Sequence, residues 1–243
     1  MAESYFLTVP NHGSGVMPLH TDRVYEEELQ QLRAKILEMG GLVEKQIGDA
    51  IMSLVERNSS LAQEVIARDH TVNYLDVAVD ETCTRLLALH QPAGRDLRLI
   101  MTSLKVTTDL ERVGDMAQNV CERALELNEE PPLKPYVDLP QMAEWARSML
   151  RESLDAFVRE DTELALQVCQ RDDFIDKLTS DIFREMLAFM RQDPQAVSRA
   201  TRLLFIAKYL ERIADHATNI AEMVIYMVKG KSIRHISPPP ASV

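Results

Sequence analysis

Residues 110–119 have the sequence LERVGDMAQN, and residues 210–219 have the sequence LERIADHATN. Both strings fit the pattern L-E-R-(V or I)-small-D-x-A-x-N, and each is followed three residues later by an acid, Glu122 or Glu222. A long-range repeat of this kind indicates two copies of one structural unit. Because the repeated positions include carboxylates at fixed spacing, the repeat also predicts binding of something cationic.

The composition favours a helical protein with a negatively charged surface. The chain has 243 residues, of which 46% are hydrophobic but only 5% aromatic, with 8 glycines, a profile typical of helical bundles. Its net charge of -11 repels nucleic acids and anionic lipids and favours cations or basic partner surfaces. We therefore expect no nucleic-acid partner.

Three sequence features favour a cytoplasmic location. The 3 cysteines have no metal-finger spacing, as is typical of a reducing compartment. No stretch approaches the roughly 18 apolar residues of a transmembrane helix. The N-terminal residues lack the basic and apolar regions of a secretory signal. We expect a protein that reaches a membrane only through its partners.

The prolines divide the chain into helical intervals, because proline inside a helix costs about 3 kcal/mol. Proline is absent from residues 19–91, 93–130, 141–193 and 195–237. Turn-forming residues at 58–60 and 159–162 predict further breaks within the first and third intervals. Six helices result, and no segment has the pattern of a strand. Their predicted ranges are 22–57, 60–90, 94–128, 139–159, 161–192 and 195–230.

Together with the repeat, these helices predict an all-α fold of two tandem antiparallel three-helix bundles related by an internal pseudo-twofold repeat. The first repeat covers residues 22–128 and the second covers 139–230. The linker between them, 129–138, contains three prolines. The ends, 1–21 and 231–243, are expected to be flexible.

The repeated acids form columns on the helices, because residues three and four apart share a helical face. In the third helix of each repeat the column lies opposite the apolar face. The second helix of each repeat also carries such a column. The four columns are Glu111, Asp115, Asn119 and Glu122; Glu211, Asp215, Asn219 and Glu222; Asp69, Asn73, Asp76 and Asp80; and Asp172, Asp173 and Asp176.

Stacked like charges destabilise a bare helix by a few tenths of a kcal/mol per pair. A metal role would explain them, since oxygen-only donors suit Mg²⁺, Mn²⁺, Ca²⁺ or iron. For any one column taken alone, a solvated surface is the more common explanation, but the repetition of the columns favours the metal role. Gly114 and Ala214, beside the repeated aspartates, would let a neighbouring helix approach, whether for a site or for packing alone. No nucleotide-binding or hydrolase motif is present, and the E-x-x-x-D spacing differs from the E-x-x-H of ferritin-like di-iron bundles.

The motifs together resemble the PhoU family of bacterial phosphate-signalling regulators. Residues 91–98, QPAGRDLR, are similar to the family's Q-P-x-x-x-D-L-R loop between the second and third helices. Residues 109–115, DLERVGD, and 209–215, YLERIAD, are similar to its two signature motifs. The resemblance extends over residues 22–230.

The resemblance implies multinuclear metal clusters on E/D-x-x-x-D motifs, with metal ions such as iron, zinc, manganese or magnesium. The ligands it implies are Asp76, Asp80, Glu111 and Asp115 in the first repeat and Asp172, Asp176, Glu211 and Asp215 in the second. The second repeat departs from the family pattern, since residues 192–199 are QDPQAVSR and Asp76 aligns with Thr179. The two metal sites are therefore expected to differ.

The resemblance also implies a function. It predicts a cytoplasmic, non-enzymatic adaptor, acting as a homodimer, that contacts a sensor histidine kinase and the phosphate transporter ATPase and represses phosphate-starvation genes. Two alternatives remain open from the residues alone. One is a metal-dependent hydrolase on a carboxylate-lined bundle, and the other is a metal-free helical scaffold.

Overall fold

The computed structural model describes residues 19–231, and every regular element within this range is helical. Of the predicted flexible ends, residues 1–18 and 232–243 lie outside the described residues. The first helix begins at Leu19, three residues before the predicted start at 22. The helices are α1 (Leu19–Val55), α2 (Ser59–His90), α3 (Gly94–Asn128), α4 (Asp138–Arg159), α5 (Thr162–Gln170), α6 (Asp172–Gln192) and α7 (Val197–Lys229), with a 3₁₀ turn at Pro194–Ala196.

The turn between α1 and α2 forms where the sequence predicted it. Asn58 is the N-cap of α2, and its side chain accepts a hydrogen bond of 3.0 Å from the Leu61 amide. Arg57, in the left-handed region at φ 54°, donates to carbonyls at and just beyond the end of α3, including Leu127 O at 3.4 Å and Glu130 O at 2.7 Å. The turn therefore also caps α3.

The single helix predicted over 161–192 is wrong, because the chain breaks at Arg171 into α5 and α6. Arg171 has ψ -7°, and its amide bonds to Val168 O at 3.1 Å, which ends the regular ladder of α5. Its guanidinium donates to Glu152 Oε1 on α4 at 2.7 Å, which holds the break in place. The acids Asp172 and Asp173 then occupy the first turn of α6, where the helix dipole favours negative charge.

The helices form two three-helix bundles, as predicted. The first contains α1, α2 and α3, and the second contains α4, the broken pair α5 and α6, and α7. The bundles pack against each other through α3 on α7 and α1 on α4. The apolar stripes of these long helices are buried in one continuous core. Burying these stripes stabilises the fold by about 25 cal/mol per Å² of apolar surface removed from water.

The 91–98 segment forms a corner that ties the two bundles together. Gln91 and Gly94 have φ 46° and 57°, so the chain reverses between α2 and α3 within four residues. Arg98 Nε donates to Met227 O at the end of α7 at 2.8 Å. Arg95 pairs with Glu160 at the end of α4, and Arg33 on α1 pairs with the same carboxylate at 3.0 Å. The described residues contain no helix long and apolar enough to cross a membrane.

Candidate functional site

The first group of predicted ligands lies along the contact between α2 and α3. Glu111 and Asp115 on α3 and Asp76 on α2 are half-buried, whereas Asp80 is exposed. The α3 acids therefore face α2 rather than open solvent. The sequence predicted the column on each helix, and the fold places the two columns side by side.

Burial and mutual repulsion raise the pKa values of this group. Burial raises the pKa of Glu111 above its ordinary value, and the charges of Asp115, Asp76 and Asp69 raise it further. The pKa of Asp115 is raised by burial and then by Asp69, and that of Asp76 by burial and then by Asp80. The carboxylates are thus close enough to destabilise one another when all are ionised.

Asp69, which was not among the predicted ligands, is the most buried acid of the group, with 8% exposure. Its Oδ2 accepts a hydrogen bond from Asn73 Nδ2 at 3.0 Å, while its Oδ1 is buried without a protein partner. A Cβ at Gly114 would lie 3.2 Å from this Oδ1 and 3.4 Å from Gln46 Oε1. Gly114 therefore lets α1 and α2 bring two side-chain oxygens against α3. Asp69 could have been found from the sequence, because Arg68-Asp69 aligns with Arg171-Asp172.

The second group lies between α6 and α7. Burial, and then the charges of Asp215 and Asp176, raise the pKa of Asp172 from 3.8 to about 6. Thr218 Oγ1 donates to Asp172 Oδ1 at 3.3 Å. The pKa of Asp215 is raised by burial and then by Glu211. Lys208, one turn before Glu211 on α7, forms an ion pair with it. The four predicted ligands of the second repeat therefore form one electrostatic group.

The two groups have different residues at equivalent positions, as the sequence predicted. With Asp69 aligned on Asp172, Asn73 corresponds to Asp176 and Asp80 corresponds to Phe183. The first group therefore extends further along α2 than the second does along α6. Glu111 and Asp115 keep their counterparts, Glu211 and Asp215, on the third helix of each bundle.

The donor chemistry of both groups suits a hard cation. All eight predicted ligands are carboxylates, and Asp69, whose Oδ1 has no protein partner, adds a fifth carboxylate to the first group. Within residues 23–231, no three His, Cys, Asp or Glu side chains lie close enough together to hold one ion. Metal binding would require these side chains to turn toward a common point. Metal ligation by these residues stays a prediction.

The histidine and cysteines near these groups have packing roles. His216, beside Asp215, is buried and bonds to Asp109 across the α3–α7 contact, so it points away from the acidic group. Burial raises the pKa values of Cys83 and Cys121 to about 12. Cys169, near the second group, has its pKa raised to about 11 by burial and then by Glu222 and Asp172. All three thiols are protonated at neutral pH and are poor nucleophiles.

The fold and the acidic groups together define a class: an all-helical protein of two repeated three-helix bundles, each with carboxylates between its second and third helices. A family model described as "PhoU domain" matches residues 36–124 and again residues 139–224, one match in each bundle. The chain belongs to the PhoU family, and the resemblance inferred from the motifs is confirmed.

Several relatives extend over most of the chain. It is 44% identical over 218 residues to the phosphate-specific transport system accessory protein PhoU homolog of Pseudomonas aeruginosa, covering 89% of this chain and 90% of that protein. It is 36% identical to the phosphate-specific transport system accessory protein PhoU of Escherichia coli K12, covering 89% of this chain and 90% of that protein.

Solved structures of the family have the same fold. The crystal structure of PhoU from Pseudomonas aeruginosa superposes with a TM-score of 0.83 at 44% identity, covering 85% of this chain and 100% of that one. The crystal structure of the phosphate transport system regulatory protein PhoU from Streptococcus pneumoniae superposes with a TM-score of 0.81 at 31% identity, covering 86% of this chain and 99% of that one.

Proposed function

We propose that this protein is a metal-binding regulator of phosphate uptake, a cytoplasmic adaptor without enzymatic activity of its own. The observation that carries the proposal is its 44% identity, over 90% of the relative's length, to a protein named as an accessory protein of the phosphate-specific transport system. Membership of the family supports a role beside a transporter. The adaptor and metal-binding functions are further steps of the proposal.

The metal part rests on the electrostatics of the two acidic groups. Burial and neighbouring acids raise the pKa values of Glu111, Asp115, Asp172 and Asp215, so ionising these side chains together costs free energy. A bound cation would supply the missing positive charge and turn that repulsion into attraction. Asp76, Asp80 and Asp69 would complete the first site, and Asp176 and Glu211 the second. Iron, zinc, manganese and magnesium remain the candidate metals.

The adaptor part concerns the proteins that this surface would contact. We expect the sensor histidine kinase and the transporter ATPase to bind through basic patches, because the chain carries a net charge of -11. Homodimer formation belongs to the same proposal. In this function the protein would restrain phosphate-starvation genes when phosphate is plentiful, and it would reach the membrane only through those partners.

A complementation experiment tests the function. The chain would be expressed in a bacterium whose own PhoU-family gene is deleted, and a reporter of a phosphate-starvation promoter would be measured in high and low phosphate. We expect the chain to restore low reporter activity in high phosphate. Unrestrained reporter activity, with the protein present at normal abundance, would contradict the proposal.

A second arm of the experiment separates the adaptor from the alternative functions. Pull-downs from the phosphate-fed and phosphate-starved cells should recover the kinase or the ATPase with the chain. Purified protein loaded with Mn²⁺ or Mg²⁺ should not hydrolyse a generic phosphoester above the rate of a variant with both acidic groups neutralised. Turnover that these substitutions abolish would favour a metal-dependent hydrolase.

A further inference from the structure

An apolar groove lies between α6 and α7, next to the second acidic group. It has a volume of about 330 Å³ and is lined by Thr179, Phe183, Thr201, Leu204, Phe205, Ala207 and Lys208. Phe183 and Phe205 remain 50% and 49% exposed on its walls. Two half-exposed phenyl rings facing one groove form a concentrated apolar patch, and such patches on soluble proteins mark contact sites.

The first bundle shows that the fold does not require this groove to be apolar. In the alignment that pairs Asp69 with Asp172, Phe183 corresponds to Asp80. In the alignment that pairs Leu110 with Leu210, Phe205 corresponds to Lys105. Both of these first-bundle residues are exposed, like their counterparts. The same helix pair thus tolerates charged residues at these positions. Phe205 stacks on Tyr209 of the same helix, with ring centroids 6.3 Å apart, but both phenylalanines stay half-exposed, so packing within the bundle accounts for only part of their apolar surface.

One end of the groove runs into the carboxylates of the second group. Lys208 lines the groove and pairs with Glu211, and Asp215 lies one turn further along α7. On α6, Asp176 lies one turn before Thr179. Counting Asp172 as well, four carboxylates of one electrostatic group lie at this end, and the Lys208 ammonium pairs with one of them, Glu211. An occupant with apolar side chains in the groove and positive charge beyond it would complement both features.

We propose that this groove binds an amphipathic helix of a partner protein. Two large apolar side chains of that helix, one turn apart, would lie between Phe183 and Phe205. Its lysines or arginines, two to three turns from these side chains, would lie against the carboxylates. The dimensions agree, since the groove-lining part of α7 from Thr201 to Lys208 is about 10 Å long at 1.5 Å per residue. Helix-in-groove recognition uses anchors at this spacing. The inference rests on the proposed adaptor function and names the contact chemistry of its partner.

Binding of a synthetic helix tests the proposal. The probe is an 18-residue peptide with a leucine stripe at helical spacing and lysines at one end. One control peptide has glutamates in place of the lysines, and another has the same composition scrambled to remove the stripe. Fluorescence anisotropy would be measured with the full chain as purified and again in a chelator, because a metal ion held by the same carboxylates would compete with the lysines of the peptide.

The protein variants keep the net charge constant. Phe183→Asp/Phe205→Lys introduces the residues of the first bundle, and Tyr74→Asp/Val77→Lys makes the same change at exposed apolar positions of α2. We expect the groove variant to weaken binding of the lysine peptide by roughly tenfold or more and the α2 variant to leave it within about twofold. Thermal unfolding would confirm that both variants are folded.

Three results of the binding experiment would overturn the proposal. One is equal binding of the lysine peptide to the parent and the groove variant, and another is equal affinity for the lysine and glutamate peptides. The third is a parent that does not bind the lysine peptide; self-association through the groove, seen as a smaller mass for the groove variant in light scattering, would then identify a second copy of the chain as the occupant. The reporter assay separates the two proposals. A groove variant that loses peptide binding but still represses the reporter would contradict only the proposed role of the groove. A parent chain that binds the peptide but does not repress the reporter would contradict only the regulatory function.

Discussion

Asp109 Oδ1 on α3 lies 2.8 Å from His216 Nδ1 on α7, and both side chains are buried at the contact between the two bundles. An ionised carboxylate can only accept, so Nδ1 carries the hydrogen. The counterparts of these residues in the other repeat are Tyr209 and Met116, so the pair has no equivalent by pseudo-symmetry. It is a buried polar link between α3 and α7.

Breaking this link should destabilise the protein. His216→Met or Asp109→Leu leaves the remaining partner buried without its hydrogen bond, and we expect each to lower the free energy of unfolding by about 1–3 kcal/mol. The loss of unfolding free energy in the double variant should be about 1 kcal/mol smaller than the sum of the two single losses, because neither buried polar group is left without a partner. Urea denaturation of the four proteins measures this coupling, and strict additivity would refute it.

The acidic groups should make the metal-free protein less stable as pH rises. The pKa of Asp172 is raised from 3.8 to about 6, so the folded chain holds this proton more tightly than the unfolded chain. The stabilisation from the protonated form is complete below the ordinary pKa and is lost as pH rises through about 6. In chelator at pH 7, Asp172→Asn should therefore raise Tm by about 2–4 °C, allowing for solvent screening of a half-exposed group.

The gain from Asp172→Asn should shrink when the melting curves are repeated at pH 4. Its exposed neighbour, Asp173→Asn, provides the control and should show a smaller change at both pH values. A rise in Tm for Asp172→Asn that is larger at pH 4 than at pH 7 would contradict the raised pKa of Asp172.

Asp215→Asn should change stability in opposite directions with and without metal. In chelator it removes a carboxylate whose pKa is raised by burial and by Glu211, so Tm should rise slightly. With Mn²⁺ present it should fall, because a ligand that binds only the folded state stabilises it by about 2.7 kcal/mol at one hundred times its Kd. Differential scanning fluorimetry in both conditions tests this. The same direction of change in both would contradict a metal role for Asp215.

The adjacent glycines of α1 should respond differently to alanine. A Cβ at Gly40 would overlap Leu154 Cδ1 on α4, whereas a Cβ at Gly41 would meet nothing within 4 Å. Gly41→Ala should stabilise the protein by about 0.5–1 kcal/mol through helix propensity. Gly40→Ala should be less stable than Gly41→Ala by about 1–3 kcal/mol, because the α1–α4 packing has to shift. Chemical denaturation measures the stability of the two variants. A Gly40→Ala variant more stable than Gly41→Ala would count against the packing of Gly40 on Leu154.

The sequence predicted the fold well because its signals are local. Proline-free intervals and apolar spacing gave the helix ranges, and the repeat at 110–119 and 210–219 gave the two bundles. The break at Arg171 was missed because neither proline nor glycine marks it. Arg171 at the break pairs with Glu152 on another helix, and such a tertiary contact leaves no local sequence signal.

The candidate site was predicted only as far as single helices could reveal it. The columns were visible because residues four apart share a face, and only the family resemblance paired them across helices. Asp69 beside Gly114, Gln46 beside the same glycine, and Asp109 bonded to His216 all depend on tertiary packing. Their residue types alone carry no signal of those contacts.

Metal content is the most direct test of the metal-binding regulator proposed here. The parent chain would be loaded with Mn²⁺ or iron, freed of unbound ions by gel filtration, and measured by elemental analysis. It would be compared with Glu111→Gln/Asp115→Asn, with Glu211→Gln/Asp215→Asn, and with the combination of all four. Glu81→Gln/Glu129→Gln, at two exposed acids outside both groups, is the control. We predict metal in the parent and control, a partial loss in each double variant and almost none in the combination, whereas the same metal content in the combination as in the parent would contradict the account.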